Sequence, residues 1–205
     1  MSNEHERIGI SGGTFDPIHY GHLIISEEIR VNFKLDKVIF IPTGKPPHKS
    51  QSEVTESEHR FNMVNIAIHT NPSFEVSRIE MEREGYIYTI DTMSRLKAEL
   101  GESSELFFIT GADIVWDLPK WKKPEQLFDL CEMIVAYRPG YLKEDFFSEI
   151  EKLKIKYGAK INVAETSIIG ISSTEIRNRV RAGNSIKYLV PEDVEKYIHD
   201  NNLYR

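Results

Sequence analysis

Short apolar runs alternate along the chain with longer segments in which apolar residues recur three or four positions apart. The runs are rich in β-branched and aromatic residues, which is typical of buried strands. They predict six strands, at residues 7–11, 38–42, 74–79, 106–110, 133–137 and 160–163. The helical spacing predicts helices around residues 23–31, 61–68, 90–100 and 146–157. This alternation is expected to build a parallel sheet with helices on both faces.

Beyond the last predicted strand, the chain carries only helical signals. Ser172, with a glutamate three residues later, begins a capping-box pattern, and Gly183 is expected to end that helix. Pro191 is expected to begin a last helix. We therefore predict an α/β fold, a Rossmann-like doubly wound parallel sheet with a C-terminal helical segment. The chain is predicted to be a single domain, 1–205, with residues 172–205 as its helical C-terminal part.

Composition and charge narrow the choice of partners. The formal net charge is −6 and the pI about 5.7, which disfavours nucleic acid and anionic membranes as partners. No apolar stretch approaches the roughly 18 residues that a membrane span needs. The one cysteine, Cys131, excludes an intramolecular disulfide and fits a reducing compartment, so a cytoplasmic location is expected. Cys131 lies in an apolar run and is predicted to be a buried thiol.

The segment after the first predicted strand is the most informative part of the sequence. Gly12 and Gly13 allow a tight turn and a close approach of the backbone to a ligand. Asp16 is a natural N-cap and Pro17 a natural first helical residue, so a helix is predicted to begin at Pro17. Its free N–H groups and dipole would then form an anion site at the carboxyl edge of the sheet.

Two histidines, His19 and His22, are three residues apart and are expected to share a face in the first turn of that helix. Each ring can donate one hydrogen bond, and Gly21 between them would leave room for a flat ligand. The pair could also bind zinc, but no third ligand stands out nearby. The glycines match neither the three-glycine dinucleotide fingerprint nor the P-loop.

The string from Gly12 to His22 resembles the (H/T)xGH signature of the nucleotidylyltransferase superfamily. This resemblance implies that His19 and His22 contact the phosphates of ATP and that no covalent enzyme intermediate forms. It also implies that Gly12, Gly13, Thr14 and Phe15 belong to the ATP site.

A second helix start carries hydroxyls and a cation. Ile171, Ser172, Ser173 and Arg177 offer hydroxyls, N–H groups and a guanidinium fork that suit the β- and γ-phosphates. Alone, this segment would be a capping box with a surface arginine. It resembles the ISSTxxR signature of the same superfamily, which implies a catalytic set of His19, His22 and Arg177 on ATP.

Two further strand ends resemble nucleotide-binding positions of the superfamily. Gly111 and Asp113 follow the fourth predicted strand, where a carboxylate can accept hydrogen bonds from a ribose; a helix N-cap is the alternative. Arg138 follows the fifth predicted strand, and the resemblance implies a role for it on the adenosine–triphosphate side.

Other segments resemble the acceptor site of bacterial nicotinate mononucleotide adenylyltransferases, one family of this superfamily. One such segment is a proline-rich loop that carries Lys45, His48 and Lys49. Its resemblance to the family's loop implies that these residues bind the mononucleotide phosphate; a plain solvated loop is the alternative. Thr89 precedes a predicted helix whose first N–H groups could hold a carboxylate. Trp121, flanked by lysines, is expected to expose its indole for stacking on the pyridine ring, whereas Trp116 is expected to be core.

The resemblance covers residues 8–181, with five motifs in the family's order. One departure is Lys122, where some members carry an aromatic residue, and it concerns the rim of the nicotinate pocket. The implied reaction transfers AMP from ATP to nicotinate mononucleotide, giving nicotinate adenine dinucleotide and pyrophosphate in NAD biosynthesis. Mg²⁺ is expected to ride on the ATP phosphates, with no protein metal site. The sequence leaves a homo-oligomeric state open.

Three alternatives stay open at this point. The first is a sister adenylyltransferase that acts on nicotinamide mononucleotide, flavin mononucleotide or phosphopantetheine. The second is a dinucleotide-dependent oxidoreductase, which would need the missing glycine fingerprint. The third is a nucleotide sensor that binds ATP without turnover.

Overall fold

The computed structural model describes residues 5–44, 54–83, 85–137 and 143–205. All six predicted strands are present. The third ends three residues earlier than predicted, and the first runs two residues longer. The strands are β1 (Arg7–Gly13), β2 (Lys37–Pro42), β3 (Phe74–Val76), β4 (Glu105–Gly111), β5 (Glu132–Tyr137) and β6 (Ile161–Glu165).

The strands form one sheet in the order β3-β2-β1-β4-β5-β6, and every neighbouring pair is parallel. This is the doubly wound Rossmann order, so the predicted fold class is confirmed. The chain runs to one side after β1 and to the other after β4, so the switch point lies between these two strands. Their carboxyl ends, at Gly13 and Gly111, mark the place where such folds bind ligands.

Helices cover both faces of the sheet, and each predicted helix is present. One helix, α4, was not predicted, because seven residues are too few to display a repeating apolar stripe. The helices are α1 (Tyr20–Asn32), α2 (Ser57–Ile68), α3 (Thr89–Leu100), α4 (Pro124–Leu130), α5 (Lys143–Tyr157), α6 (Ser173–Arg181) and α7 (Glu192–Asp200). None in the described ranges is long and apolar enough to cross a membrane.

Two hydrophobic clusters lie on the two faces of the sheet. Helices α3, α4 and α5 pack on the face that holds Ile8, Ile10 and Phe108. Helices α1, α2, α6 and α7 pack on the opposite face, against Phe40 and Phe107. The C-terminal helices therefore share a core with α1, the helix that follows the first motif.

The cysteine prediction is confirmed and one tryptophan prediction is wrong. Cys131 is buried, and burial raises the pKa of its thiol to about 12. Trp116, expected in the core, is 45% exposed. Tyr137 and Phe146 are buried and their rings stack at 5.2 Å, whereas the Trp116 indole lies 6.2 Å from the Phe146 ring and stays partly in solvent.

Candidate functional site

The loop between β1 and α1, residues 14–19, folds back over the carboxyl end of β1. Phe15 has a φ of +48°, a left-handed conformation that is uncommon outside glycine. Its ring is buried against Phe40 and lies nearly perpendicular to the His22 ring, with centroids 5.1 Å apart. A Cβ on Gly13 would lie 3.0 Å from the Phe15 ring, which explains the glycine. Phe15 therefore belongs to the core, and only its backbone is free to face a ligand.

Helix α1 begins at Tyr20, so the predicted start at Pro17 with Asp16 as the cap is wrong. The Asp16–Pro17 peptide bond is cis. The Asp16 carboxylate is engaged elsewhere: its Oδ1 accepts from the Tyr204 hydroxyl at 2.8 Å and its Oδ2 from the Thr55 N–H at 3.4 Å. The Tyr20 N–H also has a partner, the Leu189 carbonyl at 3.1 Å. The N–H groups of Tyr20 and His22 at this helix start are therefore bonded to carbonyls of the protein.

His19 is the N-cap of α1 and His22 lies three residues on. Their rings stack with centroids 3.7 Å apart and an interplanar angle of 24°. A Cβ on Gly21 would approach the His19 ring to 3.0 Å, so the glycine makes room for this imidazole. The prediction that Gly21 leaves space for a flat ligand is wrong, because the ring of His19 already fills that space.

The hydrogen bonding of His22 fixes which nitrogen can donate. Its Nδ1 accepts the His19 N–H at 3.2 Å, so the neutral ring carries its hydrogen on Nε2. Burial, and to a smaller extent the charge of His19, lower the pKa of His22 from 6.5 to about 3. His22 is therefore a neutral Nε2–H donor throughout the physiological pH range.

We expect the His22 ring resonances in an NMR titration to stay constant between roughly pH 5 and pH 8, the range in which an ordinary histidine changes charge. Protonation should appear only as the pH falls towards about 3. The unfolded chain takes up this proton near pH 6.5, so the stability that the neutral ring contributes is full above that pH and is lost as the pH falls. A His22→Ala variant assigns the signal, and a midpoint near 6.5 would contradict the neutral state of this half-buried ring.

The second predicted motif lies directly against the first. Ser172 caps α6 by accepting the Glu175 N–H at 3.2 Å. The Ser173 hydroxyl donates to the Pro17 carbonyl at 2.8 Å, and Arg177 Nη1 donates to the Asp16 carbonyl at 2.7 Å. The two helix starts thus converge at the switch point. The Ser173 hydroxyl was predicted to donate to a phosphate, but here its hydrogen is bonded to the 14–19 loop.

Arg177 keeps part of its donor capacity. Nη2 lies 3.3 Å from the Thr174 hydroxyl. The buried Nε has no hydrogen-bond partner within the part of the chain that the structure describes. Buried donors in native structures are almost always satisfied, so an anionic ligand at this place would find an arginine still able to bond.

The sequence reasoning missed one buried residue that contacts the loops around this site. Arg60, on α2, is 1% exposed and donates to four backbone carbonyls, at 2.7–3.1 Å. A signal was present in the sequence. The buried stripe of α2 falls at i, i+3, i+4, i+7 and i+8, and its first member is the arginine rather than an apolar residue; the stripe is Arg60, Met63, Val64, Ala67 and Ile68.

At the neighbouring strand end, Gly111 closes β4 and Asp113 lies in the short 3₁₀ helix Ala112–Ile114. The Asp113 side chain is exposed. A Cβ on Gly111 would lie 2.5 Å from Asp113 Oδ1, so only glycine lets this carboxylate fold back over the end of the strand. The N-cap alternative is not what is found, because Asp113 lies inside the short helix.

The two described parts of the predicted acceptor site are neighbours. Helix α3 begins at Thr89, one residue earlier than predicted. The N–H groups of Asp91 and Thr92 bond to the Tyr88 carbonyl, so the N–H groups of Thr89 and Ile90 come before the first helical hydrogen bond. Lys122, next to Trp121, donates to Asp91 Oδ2 at 3.2 Å and lies over the Tyr88 ring. Lys122 thereby ties the tryptophan segment to the start of α3.

Trp121 is half-buried rather than exposed as predicted. Its ring packs edge-on to Phe108 of β4, with centroids 5.9 Å apart. A Cβ on Gly12 would lie 3.7 Å from the same Phe108 ring. The indole is therefore held beside the end of β1 in a fixed orientation. Four predicted site residues, Lys45, His48, Lys49 and Arg138, lie outside the described residues.

Comparisons with known proteins agree with this geometry. Residues 10–179 match the family described as cytidylyltransferase-like. The chain is 50% identical, over 97% of its length and 94% of the relative's, to a Thermoanaerobacter protein named as a probable nicotinate-nucleotide adenylyltransferase. It is 46% identical, over 97% and 92%, to a Moorella thermoacetica protein of the same name.

Solved structures give the same picture. The nicotinic acid mononucleotide adenylyltransferase of Plasmodium falciparum, complexed with NaAD, superposes with a TM-score of 0.77 at 25% identity, over 98% of both chains. The same protein complexed with APC also gives a TM-score of 0.77, at 24% identity and the same coverage, and supports the fold.

Proposed function

Because this chain belongs to the nicotinate-nucleotide adenylyltransferase family of cytidylyltransferase-like proteins, we propose that it transfers AMP from ATP to nicotinate mononucleotide. The products are nicotinate adenine dinucleotide and pyrophosphate, in the route to NAD. The observation that carries this proposal is the convergence of the histidine pair with Ser173 and Arg177 on the 14–19 loop.

For this reaction, the protein has to position the two substrates and stabilise negative charge. A phosphate oxygen of the mononucleotide attacks the α-phosphorus of ATP, a new P–O bond forms, and the bond to the bridging oxygen of pyrophosphate breaks. A phosphate monoester is already ionised at neutral pH, so no general base is needed. Holding the two anions in line and stabilising the charge on the leaving pyrophosphate are the terms that lower the barrier.

The ATP side of the site is assigned to residues at the two converging helix starts. The neutral Nε2–H of His22 is available to a phosphate oxygen, and its donation does not depend on pH above about 3. Arg177 adds a fixed positive charge for the β/γ end. The full ATP set comprises Gly12, Gly13, Thr14, Phe15, His19, His22, Gly111, Asp113, Arg138, Ile171, Ser172, Ser173 and Arg177.

The acceptor side is assigned to the start of α3 and the tryptophan segment. The N–H groups near Thr89 suit the nicotinate carboxylate, since helix N-termini attract anions. The indole of Trp121 suits the pyridine ring, because aromatic faces stack on one another and its contact with Phe108 is near-perpendicular, at 87°. Lys45, His48 and Lys49 complete the proposed set at the acceptor phosphate.

Replacing Trp121 with alanine should raise KM for nicotinate mononucleotide about tenfold, the scale of one lost stacking contact. KM for ATP should stay within about twofold, since the indole is assigned to the acceptor side. Steady-state kinetics with each substrate varied in turn measures both. Trp121→Phe keeps an aromatic face and should recover most of the loss; equal rises in both KM values would contradict the stacking role.

Mg²⁺ is assigned to the substrate rather than to a protein site. Within the described ranges, no group of three or more His, Cys, Asp or Glu residues could hold a metal ion. The Asp16 carboxylate near the loop is occupied by Tyr204 and Thr55. The residues present therefore fit an ion carried by the ATP phosphates and water, where it would offset phosphate charge.

Two broader assignments complete the proposal. Residues 1–205 form a single domain, supported by the packing of α6 and α7 into the same cluster as α1. The enzyme is cytoplasmic, supported by the use of one buried, unpaired cysteine.

The deciding experiment measures pyrophosphate release from ATP with nicotinate mononucleotide, nicotinamide mononucleotide and phosphopantetheine in parallel. We expect turnover with the first and much slower turnover with the others. Faster turnover with another acceptor would make the protein a sister transferase. ATP binding without turnover on any acceptor would favour a nucleotide sensor.

A further inference from the structure

Arg60 is a fully buried cation whose hydrogen bonds all go to backbone carbonyls. Nε donates to Thr55 at 2.9 Å, Nη1 to Thr14 at 2.8 Å, and Nη2 to Thr43 and Gly44 at 2.7 and 3.1 Å. Buried arginines are rare unless they are paired with a charge. Here no carboxylate of the described residues bonds to the guanidinium directly, so its contacts are with loop backbones.

The four carbonyls come from three separate segments. Thr14 begins the 14–19 loop, Thr43 and Gly44 follow β2, and Thr55 precedes α2. A guanidinium is planar and presents its donors in fixed directions, so it holds these segments at set distances from one another. One side chain therefore fixes the loop after β1 relative to the loop after β2.

The same side chain is connected to the converging helix starts. The Thr55 N–H donates to Asp16 Oδ2, and the Asp16 carbonyl accepts from Arg177. Arg60 thus stabilises both the first residue of the 14–19 loop and the segment that contacts Asp16 in that loop. His19, at the far end of the loop, caps α1.

Electrostatics and burial act on Arg60 in opposite directions. Burial lowers the pKa of the guanidinium, while the nearby Asp16, Tyr204 and Glu80 favour its charged form. Removing the side chain would leave four carbonyls facing a buried space without a donor, and unsatisfied buried groups are costly. The loops would have to move to find new partners.

We infer that Arg60 is a positioning residue for adenylyl transfer: through Thr14 and Thr55 it fixes the loop that leads to His19 and His22, without touching a substrate itself. This inference rests on the proposed function. Displacing reacting groups by about 1 Å can cost on the order of 10²-fold in rate, so a residue one loop away can limit turnover.

The test compares Arg60→Met with Val64→Ala. Val64 is fully buried one turn later on α2, so its truncation also destabilises the helix but leaves the loop carbonyls paired. Thermal midpoints and folded fractions of both variants are measured with the kinetics. We expect Arg60→Met to lower kcat per folded molecule by about 10–100-fold, on the scale of misplaced reacting groups. Val64→Ala should keep kcat per folded molecule within about twofold.

Arg60→Lys supplies the conservative comparison. It keeps the charge but not the planar fork, so kcat is expected between those of the wild type and of Arg60→Met. If Arg60→Met and Val64→Ala have equal kcat per folded molecule, Arg60 only stabilises the fold and the inference is wrong. A wild type that releases no pyrophosphate with any acceptor would instead overturn the proposed function, so the two failures are distinguishable.

Discussion

Replacing His22 with alanine is expected to lower kcat by about 10²–10³-fold, the usual cost of removing one positioned donor to a developing oxyanion. The reason lies in the geometry of the ring: Nδ1 is bound to the His19 N–H, which leaves Nε2–H for a phosphate oxygen. Pyrophosphate release under saturating substrates measures the effect, and circular dichroism and urea unfolding check that the fold is retained.

Two comparisons sharpen this experiment. His199→Ala removes an exposed histidine on α7 and should leave kcat unchanged. His22→Gln places an amide about as far from the backbone as Nε2, whereas His22→Asn reaches only about as far as Nδ1, so glutamine should retain more activity. Turnover of His22→Ala within threefold of the wild type would remove this imidazole from the mechanism.

Replacing Arg177 with methionine should lower kcat/KM for ATP by about 10²-fold or more, since a charge-assisted bond to phosphate and the bond to the Asp16 carbonyl are lost together. Methionine keeps much of the stem's apolar packing, so the change acts mainly on charge and hydrogen bonds. Initial rates at low ATP concentration measure kcat/KM directly.

Arg179 provides a matched control on the same helix. It is exposed and pairs with Glu175, so Arg179→Met removes one positive charge two residues away without touching the 14–19 loop. If both substitutions reduce kcat/KM equally, a general loss of positive charge explains the effect. A specific role for Arg177 requires the larger loss at that position alone.

The fold could be predicted from the sequence because its signals are local. Each of the six strands carries its own apolar run, and each longer helix its own apolar stripe. Strand–helix alternation leaves few topologies, since crossovers between parallel strands are right-handed. The short helix α4 was not predicted, because a seven-residue segment shows no repeating apolar stripe.

The start of α1 could not be predicted, because it is decided by contacts far away in the sequence. Asp16 and Pro17 look like a cap and a first helical residue. The Asp16 carboxylate instead accepts from Tyr204, 188 positions later, and the helix begins only at Tyr20. Local preference was overridden by a tertiary hydrogen bond to a buried carboxylate.

The exposure of the two tryptophans was also decided by tertiary contacts. Neighbouring lysines suggested that Trp121 would face solvent, yet Phe108 across the sheet edge gives it a packing partner. Trp116 has no lysine beside it, yet it is exposed, while Tyr137 and Phe146 are buried and stack on each other. The burial of a side chain depends on which residues the fold brings next to it, and its neighbours in the sequence do not predict this.

The bonds between the two helix starts have a consequence for how the protein gains its activity during folding. Ser173 and Arg177 contact Pro17 and Asp16 across separations of 156 and 161 residues. Contacts between such distant positions close the largest loops and form late. A refolding chain should therefore regain helical circular dichroism before it regains affinity for ATP, which makes nucleotide capture a reporter of completed folding.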